Sequence, residues 1–66
     1  MRGVLTERQR LILSYMAAGN KASRIGLLMG TTEQTVKNQL ADIRLRLECA
    51  TTTEAVAKAI RSGVIN

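Results

Sequence analysis

Few residues in this 66-residue chain could carry chemistry, and their types narrow the options early. Histidine is absent and Cys49 is the single cysteine, so four N/S ligands for a structural zinc cannot be assembled within one chain. Ser and Cys49 hydroxyl or thiol groups likewise lack the imidazole base that would activate them as nucleophiles. Cys49 has no partner for an intramolecular disulfide, which suits a reducing cytoplasm. The methionines read as core or initiator residues rather than a metal box, and Tyr15 as a half-buried packing residue. No enzyme activity, cofactor or metal is therefore expected. What the chain holds in excess is cationic chemistry: ten Lys and Arg against five Asp and Glu, a net charge of +5 and a pI of about 10.4. Such groups neutralise phosphates and release counterions from a nucleic acid.

Aiming those groups requires a folded scaffold, and 7.2 kDa gives one small domain, residues 1–66, without room for a second core. The apolar share of 45% is ordinary for a globular chain. With one Tyr and no Phe or Trp, the core must be built from Leu, Ile, Val, Met and Ala. No apolar run reaches the ~18–20 residues needed to cross a bilayer. The start, MRGVLTERQR, has no apolar stretch of the secretory type. A soluble, cytoplasmic binding module is the expectation.

Proline is missing, so Gly19, Gly30 and Gly63 must punctuate the chain, each closing an apolar-periodic stretch. The predicted fold is all-α, a four-helix bundle with helices over about 7–18, 22–29, 33–48 and 52–62. Thr6 and Gln9 form a Thr-x-x-Gln capping box for the first helix, which turns Ile12, Leu13, Met16 and Ala17 to one face. The second helix presents Ile25, Leu28 and Met29; Asn20 or Ser23 is its expected cap, and Lys21 is not. Thr32 caps the third helix, where Val36, Leu40, Ile43 and Leu47 make a narrow buried stripe. Thr51 and Glu54 form a second capping box, opening a fourth helix that buries Val56, Ala59 and Ile60. Val64 and Ile65 stand beyond Gly63, where the chain folds back onto the last turn.

The second and third helices, joined by Gly30-Thr31-Thr32, have the layout of a helix-turn-helix. In such a unit the first helix braces the second, which protrudes into a groove wide enough for one α-helix. Opposite the buried stripe, at about 100° per residue, lie Gln34, Lys37, Asn38, Ala41 and Leu45. Leu45 has no place in the core pattern and reads as an exposed leucine or part of an interface.

From Leu5 to about Ile60 the chain resembles the LuxR-type (GerE-type) helix-turn-helix domain of bacterial transcription regulators. Leu5-Thr6-Glu7-Arg8-Gln9-Arg10-Leu11-Ile12-Leu13 is similar to the family opening Leu-Thr-x-Arg-Glu-x-x-x-Leu. Thr35-Val36-Lys37-Asn38-Gln39-Leu40-Ala41-Asp42-Ile43 is similar to Thr-Val-Lys-x-His-Leu-x-x-Ile, and Thr53-Glu54-Ala55-Val56 to the closing Thr-Glu-Ala-Val. Departures are Gln9 for Glu, Gln39 for His, Thr52 for Arg, Cys49 for Val, and Lys21-Ala22-Ser23 for Ser-Asn-Lys. Arg44-Leu45 also inverts the commoner order of an apolar then a polar residue.

The resemblance implies sequence-specific binding of double-stranded DNA in transcription regulation, with the third helix in the major groove. It puts Lys37, Asn38 and Ala41 at base edges. Their chemistry is compatible: Lys donates to guanine O6/N7, Asn pairs with adenine, and an Ala methyl packs on thymine. Thr32 and Thr35 at the helix N-terminus are expected phosphate contacts, flanked by Lys21, Arg24, Arg44 and Arg46. One short helix reads few base pairs, so a weak homodimer on paired half-sites is expected. By resemblance its interface lies on the fourth helix, at Thr52, Thr53, Val56, Lys58 and Ala59. RNA polymerase or a larger LuxR-type regulator are the further partners implied.

Three other readings stand beside this one. Region 4 of a sigma factor also reads promoter DNA, but it usually ends soon after its recognition helix, whereas a capped helix follows here. A protein-interaction module that modulates a larger LuxR-type regulator would explain the altered Lys21-Ala22-Ser23, while Lys37 and the net charge favour DNA. Membrane-surface binding ranks last, because the bulky aromatics that anchor such helices are missing. A stand-alone regulator and an excised C-terminal domain both fit the chain.

Overall fold

The computed structural model describes residues 4–65 and contains four helices, with no strand among the described residues. They are α1 (Glu7–Ala17), α2 (Ala22–Met29), α3 (Glu33–Leu47) and α4 (Thr52–Arg61). Of these, α1, α3 and α4 begin where a side-chain hydrogen bond replaces the missing intrahelical partner of an early amide. Thr6 accepts from the Gln9 amide while the Gln9 side chain accepts from the Thr6 amide, both at 3.1 Å, completing the expected box. Thr32 accepts from Thr35 N–H and Thr51 from Glu54 N–H, again at 3.1 Å. Glu54, however, does not return to Thr51: its carboxylate accepts from the Ala50 amide at 2.9 Å. The start of α2 also differs from expectation. Lys21 occupies the cap position without a side-chain bond, and Asn20 donates to the Tyr15 carbonyl at 3.0 Å instead.

Residues at positive φ follow the end of every helix: Gly19, Gly30, Glu48 and Gly63. Gly30, at φ 69°, ends α2, and the Thr31 amide reaches back to the Gly26 carbonyl at 2.8 Å. Glu48, at φ 57°, does the same for α3 without the steric freedom of glycine.

One core joins the four helices. Leu5, Ile12, Leu13, Ile25, Val36, Leu40, Ile43 and Leu47 are buried, so the predicted stripe of α3 holds in full. Val64 and Ile65 fold back and are buried too, the Val64 amide donating to the Ala59 carbonyl at 2.9 Å. Three expectations are corrected. Ala17 is exposed at the end of α1. Leu28 is 44% exposed because α2 turns Ile25 and Gly26 inward. On α4 the inward residues are Ala55 and Ala59, whereas Ile60 is 47% exposed and Val56 only half-buried. Two small methyls let the α4 backbone approach the core closely, which a Val and an Ile at the same places would prevent.

Candidate nucleic-acid interface

The outer face of α3 is open. Gln34, Lys37, Asn38, Ala41 and Leu45 are all exposed, opposite the fully buried Val36 and Ile43. Lys37 pairs with Glu33 at 3.1 Å and Asn38 accepts from Gln34 Nε2 at 2.9 Å, each held by a neighbour one turn towards the N-terminus. Both links are solvent-exposed, and such surface pairs contribute about 0–1 kcal/mol, so a phosphate or base edge can displace them at little cost.

At the N-terminus of α3 the Thr32 hydroxyl accepts from the Thr35 amide and donates to Thr35 Oγ1 at 2.9 Å. Helix N-termini favour anions in any case, through free amides and the aligned peptide dipoles.

The flanking cations divide into two sets. Lys21 and Arg24 are exposed on and beside the first turn of α2. Arg44 and Arg46 are engaged within the fold. Arg44 Nη1 donates to Thr52 Oγ1 at 2.9 Å, and Arg46 donates to Asp42 Oδ2 at 2.7 Å and to the Val4 carbonyl at 2.9 Å. Their charge still adds to the field near α3, but their donors tie that helix to its neighbours.

Two positioning residues escaped the sequence reading. Gly26 is buried in the middle of α2, where a Cβ would lie 3.0 Å from the Thr32 carbonyl carbon and 3.1 Å from the Glu33 nitrogen. Its missing side chain lets the turn sit against α2. The available signal was a glycine inside a helical pattern, which costs about 1 kcal/mol of propensity and so calls for a packing reason. Gln9, read as a cap, also donates to Gln39 Oε1 at 3.0 Å and Asp42 Oδ2 at 2.7 Å. No local pattern signals bonds to residues 30 and 33 positions away. The Gln9 amide, followed by the Arg46 guanidinium, holds the Asp42 carboxyl below the ordinary carboxylate range.

A family profile for bacterial regulatory proteins of the luxR family matches residues 3–59. The chain belongs to that family. Its function is accordingly DNA binding in transcription regulation, in a family that is not an enzyme class. The LuxR-type domain is 41% identical over 64 residues to the HTH-type quorum sensing-dependent transcriptional regulator RpaR of Rhodopseudomonas palustris, covering 97% of this chain and 26% of that protein. It is 36% identical over 61 residues to the transcriptional regulatory protein YdfI of Bacillus subtilis, covering 92% and 29%. The transcriptional activator protein LuxR of Aliivibrio fischeri is 29% identical over 63 residues, covering 96% and 25%. The chain thus spans between a quarter and three-tenths of the length of these relatives. No solved structure matches it. No helix among the described residues is long and apolar enough to cross a membrane.

On α4 of this LuxR-type domain the expected interface residues separate. Thr53 is exposed and Thr52 and Val56 are half-buried, lining an open apolar groove with Met16, Ala57 and Ile60. Ala59 is wholly buried in the chain's own core, so its side chain is not available to a partner. Lys58 turns away from that groove, donating to the Leu47 carbonyl at 2.7 Å.

Proposed function

We propose that this LuxR-type domain inserts α3 into the major groove, with Lys37, Asn38 and Ala41 at base edges. Thr32 and Thr35 at the N-terminus of α3 and the exposed Lys21 and Arg24 meet phosphates; Arg44 and Arg46 add charge and brace the helix. What supports this reading is the open outer face of α3, whose polar side chains are held only by weak exposed links. A second copy docks along the groove of α4, through Thr53, Val56 and Ile60, placing two reading helices about one DNA turn apart. The domain acts within a cytoplasmic regulator.

The test measures affinity for a duplex selected by the unaltered chain from a randomised pool, at two salt concentrations. Affinity falls as salt rises, because phosphate neutralisation releases counterions. Lys37→Ala and Asn38→Ala each weaken binding to the selected site by about 1–3 kcal/mol and relax discrimination at one base pair. Binding that is unaltered in both variants would remove α3 as the reading element.

A further inference from the structure

Gln9 is the only buried polar side chain among the described residues, at 2% exposure. We propose that it is a positioning residue that sets the roll of α3 about its own axis, and thereby the aim of Lys37 and Asn38. The proposal rests on the major-groove reading above.

The apolar stripe of α3 fixes how deeply the helix sits, but apolar contact is non-directional and leaves the roll weakly specified. With side-chain tips about 5–6 Å from the axis, a roll of roughly 20° displaces a tip by about 2 Å. Reading a base edge tolerates far less. Directional bonds are therefore needed, and Gln9 supplies two of them. Its Oε1 accepts from the Thr6 amide, which forces Nε2 towards α3, where it donates to both Gln39 and Asp42. Gln39 directly follows Asn38, and Asp42 directly follows Ala41.

The same carboxylate oxygen of Asp42 accepts from Arg46, and Arg46 reaches on to the Val4 carbonyl. A closed ring results, from Thr6 through Gln9, Asp42 and Arg46 to Val4. Between its two ends lies Leu5, which is buried in the core. The N-terminal end of α1 is thus clasped to one flank of the reading helix. Every donor of the Gln9 amide is used, so the amide has one orientation.

Gln9→Glu tests this with no change of shape. It replaces the donor by a carboxylate oxygen facing Asp42 and Gln39. Gln9→Met, of nearly the same volume, removes the donor without adding a charge. The measurement is the ratio of affinities for the selected duplex and a scrambled one, with helical circular dichroism as the check of folding. Both variants are expected to lower that ratio about tenfold, the scale of one misread base pair. The proposal is overturned if either variant, folded, discriminates like the unaltered chain. An unaltered chain that selects no sequence at all would instead bring down the major-groove reading, and this proposal with it.

Discussion

Lys58 of α4 donates its Nζ to the Leu47 carbonyl, 2.7 Å away, at the end of α3. A cation thereby meets the negative end of the α3 dipole and satisfies a carbonyl that the helix itself leaves without a partner. The bond joins the reading helix to the helix that bears the apolar groove. Lys58→Met keeps most of the aliphatic stem and removes the donor. It is expected to lower the stability of the chain by about 1 kcal/mol, read as a reduced urea midpoint at unchanged slope.

Gly26→Ala sets two effects against each other. Alanine gains about 1 kcal/mol of helix propensity. Against this, its Cβ would meet backbone atoms of Thr31, Thr32 and Glu33 at 3.0–3.1 Å, and backbone cannot rotate away as a side-chain tip can. Overpacking of this kind costs about 1–3 kcal/mol. Net destabilisation is expected in thermal unfolding, together with weaker DNA binding, because the turn that carries Thr32 must move.

Asp42 makes stability depend on acid. Its carboxyl sits below the ordinary value of 3.8, chiefly through the hydrogen bond from Gln9 and then that from Arg46, with desolvation opposing. The unfolded chain therefore takes up this proton at higher pH than the folded one. The contribution is complete above the unfolded value and is lost as pH falls through the folded value. The Tm gap between the unaltered chain and Asp42→Asn is expected to narrow as pH is lowered from about 6 to about 2.

Cys49 is half-buried, its thiol within 3.4 Å of the Leu47 carbonyl. Burial first, and the Glu54 carboxylate second, push its pKa up. The thiolate is the reactive form, so alkylation near neutral pH is expected to be slower in the folded chain than in the urea-unfolded chain. Equal rates, followed by mass spectrometry, would contradict this account.

Much of the scaffold was legible along the chain because its causes are local. A Thr cap reaches an amide three residues on, and a glycine at positive φ ends the turn just before it. The stripe Val36, Leu40, Ile43 and Leu47 repeats with the helix itself, which also placed Lys37, Asn38 and Ala41 on the opposite face. The roll of α4 was not legible. Val56, Ala59 and Ile60 form as regular a pattern as Ala55 and Ala59, and only the closeness of the neighbouring helices favours the two small methyls.

Composition and periodicity thus determined a basic all-helical chain with a helix-turn-helix and an open polar face on its third helix, since charge and the 3.6-residue repeat are properties of the chain alone. Tertiary structure decided which polar groups remain available. The sequence reading puts Arg44 and Arg46 at phosphates and Lys58 at a dimer interface, but packing sets each beside an acceptor on another segment. Gln9 became the clasp on α3 for the same reason: hydrogen bonds need atoms within about 3 Å, and only the folded chain brings residues 9 and 42 that close.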